Sequence, residues 1–196
     1  MMRGKLNWYV IGALALGSIL NLGARPANAQ GIAEKVEVCA GCHGVDGKPV
    51  DRVIPAIWGQ QQGYLYIQLR DFKRGDRKND IMQPIVASME RADMLAIAEY
   101  FSKKPWPDLG QPRAPKEVAN RALRANASVG CTGCHLDQFQ GDGTVPRLAG
   151  VSREYMTKTI SDFRSRARGN NPGMSDLMLA TAPEDLAALT EYLAGL

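Results

Sequence analysis

The sequence predicts an all-α protein built from two small tandem domains that are joined by a proline-rich linker. Apolar residues recur at helical spacing, and no stretch of useful length alternates as a strand does. The two halves of the chain repeat one another at a nearly constant offset. Between them, residues 103–115 carry four prolines, which end helices and favour a stiff, extended connector.

The first 29 residues predict an export signal. Arg3 and Lys5 give a basic start, residues 8–20 are apolar, and residues 27–29 (ANA) form a small-residue cleavage site before Gln30. The alternative is an uncleaved membrane anchor, but the apolar run is shorter than the roughly 20 residues that cross a bilayer. We therefore expect a mature chain that starts near Gln30 and is located in the periplasm.

The charge pattern argues against a nucleic-acid-binding protein. The chain has 24 Lys and Arg against 20 Asp and Glu, which gives a formal net charge of +4. Three of the basic residues lie in the export signal, so the mature chain has 21 against 20 and is close to neutral. Neither half carries the basic stripe that nucleic-acid recognition needs.

An internal repeat relates the two halves of the mature chain. Cys39 and His43 recur 92 positions later as Cys131 and His135. The other pairs, at offsets of 91 or 92, are Pro55 with Pro146, Gly59 with Gly150, Tyr64 with Tyr155, Asp71 with Asp162, Phe72 with Phe163, Met82 with Met174, Asp93 with Asp185 and Tyr100 with Tyr192. The chain is therefore a tandem duplication. We expect domains at 30–104 and 117–196, with a linker at 105–116.

Every cysteine and histidine of the chain lies in one of two C-x-x-C-H motifs. The first holds Cys39, Cys42 and His43, and the second is its repeat. This pattern is the attachment signature of c-type haem: two thiols add to the porphyrin vinyl groups and the histidine binds the iron. Disulfides, a thioredoxin-like pair and a zinc site all fit the spacing less well. We predict two covalently attached haem c groups, the second held by Cys131, Cys134 and His135.

The repeat also selects the second iron ligand. No third histidine exists, and methionine is the residue that binds on the other face of an electron-carrying haem. Met82 lies 39 residues after His43, and Met174 lies 39 residues after His135. The other four mature methionines have no methionine at the repeated position: Met89, Met94, Met156 and Met178. We predict Met82 and Met174 as ligands and Met94 as core, with Met89 more consistent with core than with a ligand.

The sequence predicts the same order of elements in each half: a helix, the haem motif, a loop, a helix, the methionine loop and a last helix. The middle helices are expected at residues 61–75 and 152–168. Both methionines are expected in turn-rich loops, beside asparagine and proline. The helix after each loop should begin at Ser88 in the first half and at the capping box TAPE, residues 181–184, in the second.

The duplicated motifs, the proline-rich connector and the stretch GQQQGYLYIQLRDFKRG closely resemble the dihaem cytochrome c4 family over essentially the whole mature chain. The resemblance implies two class I cytochrome c folds facing each other, each haem having His/Met ligation. It also implies that the carbonyl oxygens of Pro55 and Pro146 accept hydrogen bonds from His43 and His135. The alternative for these prolines is that they only shape a turn.

Three further features of the repeat leave alternatives open. Arg77 and Arg168, before the methionine loops, either pair with haem propionates or are solvated surface charges. Tyr64 and Tyr155 either contact propionates or pack between helices. The loop after the second motif, CHLDQFQGDGTVP, is built differently from CHGVDGKP in the first half, which argues against equivalent exposure of the two haems.

The resemblance implies a periplasmic electron carrier that is not an enzyme. Its donor would be the cytochrome bc1 complex or a dehydrogenase, and its acceptor a terminal oxidase or a small redox protein; peripheral membrane association stays open. The alternative is a haem subunit of a periplasmic dehydrogenase, such as a sulfide-oxidising flavocytochrome or an alcohol-oxidising complex. A dihaem peroxidase is disfavoured because it needs a labile or vacant iron position.

Overall fold

The structure is a computed structural model, and it describes Met1 and residues 27–196. Most of the export signal predicted for residues 1–29 therefore lies outside the described residues. Within the described part, no helix has both the length and the apolar character needed to cross a membrane.

The described residues form helices and no strand, which confirms the all-α prediction. Their only extended pairing is one isolated bridge between Asp142 and Val145. The helices of the first half are α1 (Ala27–His43), α2 (Gln62–Arg74), α3 (Met82–Val86) and α4 (Arg91–Ser102). Those of the second half are α5 (Lys116–Val129), α6 (Thr132–His135), α7 (Arg153–Arg164), α8 (Pro172–Ala180) and α9 (Pro183–Ala194).

The first half buries one apolar core. Helix α4 packs against both α1 and α2, and α3 packs against α2. Burial of these side chains is the main stabilising contribution of the half. The buried core consists of Val36, Leu65, Phe72, Val86, Met89, Met94, Ile97, Ala98 and Phe101.

The second half repeats this arrangement. Helix α5 packs against α9 as α1 packs against α4, and α7 packs against α8 and α9. One ion pair is repeated as well: Lys35 bonds Asp93 across α1 and α4, and Arg121 bonds Asp185 across α5 and α9, both at 2.6 Å. The packing thus follows the duplication seen in the sequence.

The middle helices lie close to their predicted positions, because their ends carry strong local signals. Gly75 ends α2 in a left-handed conformation, with φ at 78°, and its N–H donates to the Phe72 carbonyl. The Ser152 hydroxyl accepts the N–H of Tyr155 and so caps α7. Helix α7 ends at Arg164, four residues earlier than predicted.

The prediction of loops around the two methionines predicted as ligands was wrong. Met82 is the first residue of α3, and Met174 lies inside α8. The N–H of Met82 donates to Asn79 Oδ1 at 2.9 Å, and that of Met174 donates to Asn171 Oδ1 at 3.1 Å. An asparagine three residues earlier therefore starts a helix, rather than a turn, at each methionine.

The caps predicted for α4 and α9 were also wrong. Glu90 precedes α4, and its N–H donates to Asp93 Oδ2 at 3.0 Å, which fixes the start of the helix two residues beyond Ser88. The Thr181 hydroxyl donates a hydrogen bond to the Leu177 carbonyl and therefore belongs to the end of α8. Ala182, and not Thr181, is the residue that precedes α9.

The connector between the halves is fixed by side-chain contacts. Trp106 packs against the core around Phe139 in the second half. A Cβ on Gly59 would lie 2.8 Å from the Trp106 backbone N, and a Cβ on Gly150 would lie 2.8 Å from its Nε1. Both repeated glycines are needed at these close approaches. Gln111 donates to the carbonyl oxygens of Val151 and Ala194.

Candidate functional site

The first C-x-x-C-H motif occupies the last turn of α1. The Cys39 thiol is half-buried and the Cys42 thiol is exposed, while the His43 ring is buried. His43 Nδ1 lies 2.8 Å from the Pro55 carbonyl oxygen. Burial lowers the pKa of His43 by more than this hydrogen bond raises it. The ring is therefore held neutral, with Nδ1 engaged and Nε2 left as the ligand atom.

The second motif reproduces this geometry at α6. Cys131 is half-buried, Cys134 is exposed and His135 is buried. His135 Nδ1 lies 2.9 Å from the Pro146 carbonyl oxygen, and burial likewise lowers the pKa of His135. The structure thus confirms that both prolines accept a histidine hydrogen bond, beyond any role in shaping the turns.

The first cysteine of each motif lacks the character of a catalytic nucleophile. Burial raises the pKa of Cys39 to about 11 and also raises that of Cys131. A thiol with a raised pKa is protonated and unreactive near neutral pH. All four cysteines are free, and in each motif the second thiol is open to solvent. This arrangement suits attachment of an external group rather than a disulfide.

Met82 and Met174 differ from the other methionines of residues 27–196. Both are only partly buried, and each packs on the same core as the first cysteine of its half, Met82 with Cys39 and Met174 with Cys131. The other four are buried at 4% to 6% exposure: Met89, Met94, Met156 and Met178. Met89 and Met94 belong to the first core, as predicted.

The arginines and tyrosines of the repeat meet where the two halves touch. Arg77 Nη2 donates to the Tyr155 hydroxyl at 3.1 Å, and Arg168 Nη2 donates to the Tyr64 hydroxyl at 3.2 Å. Both guanidinium groups also bond Gln68 Oε1, at 2.8 and 3.0 Å. Each half therefore supplies the arginine that binds the tyrosine of the other half.

These contacts exclude the solvated-charge interpretation for Arg168, which is 6% exposed. No carboxylate of the described residues forms an ion pair with Arg168 or Arg77, within 4.0 Å. Burial raises the pKa of the Tyr155 hydroxyl, but the two guanidinium groups outweigh that effect and lower it to about 7. Two guanidinium groups therefore converge at the interface, and the buried charge of Arg168 needs a negative partner.

Gln68 gave no signal in the sequence, and Asp71 stood out only as a repeated residue, with no indication that it lies in the interface. Gln68 is buried and accepts from Arg77, Arg168 and Asn170 at one oxygen. Asp71 is 2% exposed and accepts from Asn170 at 2.8 Å. Nothing distinguishes a glutamine on a helix from a surface residue until the opposite domain is in place.

The differently built loop of the second half is the docking segment for the first. Gln61 Nε2 donates to the carbonyl oxygens of Gln140 and Gly141, and the Tyr64 N–H donates to the Gly143 carbonyl at 3.1 Å. Phe139 anchors the loop in the core at 3% exposure. Interface formation, which the sequence comparison did not predict, accounts for the departure of this loop from the first half.

Gln60 adds a second contact between the halves. Its side chain exchanges two hydrogen bonds with the backbone of Arg147, donating to the carbonyl at 3.1 Å and accepting from the N–H at 2.7 Å. Gln60 is 5% exposed, so this amide is satisfied only when the halves are docked.

The described residues fit two haem groups. Each half offers two free thiols, a neutral histidine whose Nδ1 is already bonded, and a methionine sulfur on the same core. The buried guanidinium of Arg168 and the half-buried one of Arg77 form no ion pair among these residues, and haem propionates would supply the negative charge.

Comparison with known proteins agrees with this arrangement. Residues 27–103 match the cytochrome c family. The chain is 32% identical to the thiosulfate dehydrogenase electron acceptor of Stutzerimonas stutzeri, over 97% of this chain and 95% of that protein. It is 31% identical to cytochrome c4 of Azotobacter vinelandii, over 83% of this chain and 86% of that protein. The crystal structure of reduced cytochrome c4 from Pseudomonas stutzeri superposes with a TM-score of 0.75 and 29% identity, covering 86% of this chain and 98% of that one.

Proposed function

The chain belongs to the dihaem cytochrome c4 family, and from this premise we propose that it carries electrons in the periplasm from a respiratory donor to a terminal oxidase. Its class is established by its relatives: it is an electron-transfer protein with two covalent haem c groups and the class I cytochrome c fold, and it is not an enzyme. The donor, the acceptor and the periplasmic location belong to the proposal, and the predicted export signal supports the location.

The proposed ligand sets are His43 with Met82 for the first haem and His135 with Met174 for the second. Cys39 and Cys42 would attach the first haem, and Cys131 and Cys134 the second. The observation that carries this assignment is the position of the two methionines. Among the methionines of residues 27–196, they alone coincide in the repeat, and they alone are not fully buried in the cores.

Bound haem supplies one-electron chemistry between ferric and ferrous iron. The protein has to keep that chemistry confined to electron transfer. The Pro55 and Pro146 carbonyls fix the two imidazole rings and raise their basicity. Asn79 and Asn171 fix the backbone of Met82 and Met174, and these two methionines would hold the sixth position of each iron, so that none would be open to peroxide.

A second candidate function is that of electron acceptor for a periplasmic dehydrogenase. The similarity to a thiosulfate dehydrogenase electron acceptor extends over nearly the whole chain, and it therefore favours a thiosulfate-oxidising donor over a sulfide- or alcohol-oxidising one. Both candidates use the same haem sites and differ only in the protein that delivers the electrons.

Reduction kinetics separate the two candidates. The holoprotein, oxidised and at fixed concentration, is mixed either with a thiosulfate dehydrogenase and thiosulfate or with a bc1 complex and a quinol. A carrier in the respiratory chain should be reduced rapidly by the bc1 complex, whereas a dedicated acceptor should be reduced rapidly only by the dehydrogenase. Omission of thiosulfate or quinol is the control. Failure of both donors to reduce the protein would contradict the proposed donors.

A further inference from the structure

Three exposed valines surround the outer thiol of the first haem motif, and we call them the valine cluster: Val38, Val45 and Val50. Their exposed fractions are 59%, 82% and 70%. Val38 lies one helical turn before Cys42 on α1, and Val45 follows the end of that helix. The Val50 N–H donates to the Cys42 carbonyl at 3.0 Å. The valine cluster thus borders the thiol that would attach the first haem.

The loop that carries two of these valines is held in a fixed conformation. Gly44 has φ at +92°, and any Cβ there would collide with the Lys48 backbone. A Cβ on Gly47 would lie 2.7 Å from the Trp58 ring. Because the loop packs this closely, Val45 and Val50 cannot turn inward to bury their side chains.

The second haem motif has no matching cluster. The position equivalent to Val38 is Gly130, and the position equivalent to Val45 is Asp137. The exposed apolar side chain beside Cys134 is Leu136, at 37%. A cluster of exposed valines beside the outer cysteine is therefore a property of the first motif and not of the shared fold.

The charges around the valine cluster indicate what would cover it. Four exposed acidic residues and two exposed basic ones flank the valines, and none of the six forms an ion pair within the described chain. They are Glu34, Glu37, Asp46, Asp51, Lys48 and Arg52. This surface of the protein has an apolar centre and a net acidic rim. It is complementary to a partner surface that has an apolar centre and a basic rim.

We propose that the valine cluster is the docking surface for a one-electron redox protein whose cofactor edge is apolar and ringed by basic side chains. One electron passes between that partner and the first haem, and no bond forms or breaks. The valines exclude water from the contact, and the acidic rim orients the encounter. This inference rests on the proposed function, because it requires haem at Cys39 and Cys42.

An electrode that reproduces the partner's surface tests the proposal. Gold coated with a mixture of methyl-terminated and amine-terminated alkanethiols is apolar and basic. The mature holoprotein is adsorbed, and the electron-exchange rate of each haem is measured by voltammetry. A Met82→His variant assigns the waves, because the ligand change shifts the potential of the first haem only. We expect the first haem to exchange electrons at least tenfold faster than the second.

Variants locate the contact. Val38→Asn combined with Val50→Asn removes the apolar contact without adding charge and should slow the first haem at least tenfold, while Leu136→Asn should leave it unchanged. Both variants must first show two haems per chain and unaltered potentials, a requirement that separates loss of docking from failure of the haem assignment. A faster second haem, or an unchanged rate in the valine variant, would overturn the proposal. So would a wild-type dimer that the valine variant converts to monomer, because a second copy would then be the occupant.

Discussion

Arg77 of the first half donates a hydrogen bond to the Tyr155 hydroxyl of the second half at 3.1 Å. The equivalent pair, Arg168 and Tyr64, makes the reverse contact at 3.2 Å. The duplication therefore produced a reciprocal interface in which a residue conserved between the repeats binds the opposite repeat. Each guanidinium also lies over a phenylalanine of its own half, Arg77 over Phe72 and Arg168 over Phe163, at 4.5 Å from the ring centre.

Removal of a buried interface arginine should destabilise the protein. Arg168→Ala removes the hydrogen bonds that this buried guanidinium donates to Gln68 and to the Tyr64 hydroxyl, and we expect a loss of about 2–3 kcal/mol in the free energy of unfolding. Arg166→Ala is the matched control, because Arg166 pairs with Asp176 at an exposed position and should contribute no more than about 1 kcal/mol. Urea unfolding of the holoprotein measures both. Equal losses would contradict the interface account.

A methyl group at Gly63 should force the halves apart. Its Cβ would lie 2.6 Å from the Gly143 carbonyl oxygen, so Gly63→Ala should lower stability although alanine favours helix. Gly173→Ala in α8 is the control: its nearest neighbour would be 3.5 Å away, and the change should stabilise by up to about 1 kcal/mol. Thermal unfolding and small-angle X-ray scattering check both. An unaltered scattering profile and melting temperature in Gly63→Ala would count against close docking.

The link between α1 and α4 should weaken in acid. Hydrogen bonds from Lys35 and from the Glu90 N–H lower the pKa of Asp93 below its usual value. The ionised form is thus the one that stabilises the fold. Its contribution is fully present above the unfolded pKa of about 3.9 and is lost as the pH falls through the lower folded value.

Asp93→Asn should accordingly cost about 1 kcal/mol at pH 7 and less as the pH falls below about 4. Urea unfolding at both pH values measures the difference from the wild type. Glu99→Gln is the control, because Glu99 pairs with Lys103 in full solvent and should have no measurable effect at either pH. A cost that is independent of pH would indicate lost packing rather than lost charge.

The repeat is the basis for the prediction of the haem sites. Because both motifs and Met82 and Met174 recur at one offset, the sequence alone indicated which cysteines, histidines and methionines belong together. Local signals placed the middle helices, since Gly75 and Ser152 act within a single turn. The start of α4 was missed because Asp93, a side chain inside the helix, competes with Ser88 as the determinant of the boundary.

Contacts between the halves could not be predicted from the sequence. Gln60 and Gln68 are polar residues whose burial depends on the position of the other domain, and no local pattern encodes that position. The loop containing Phe139 differs in sequence from the equivalent loop of the first half. Only its hydrogen bonds with Gln61 and Tyr64 show that this loop docks the second half onto the first.

The visible spectrum of the oxidised Met82→Ala holoprotein tests the central claim most directly. If Met82 binds the first iron, the weak sulfur-to-ferric-iron charge-transfer band should fall to about half, because Met174 still binds the second haem. Met89→Ala, which truncates a buried core methionine, should leave the band at full strength in the folded protein. A band of undiminished strength in Met82→Ala would contradict the ligand assignment.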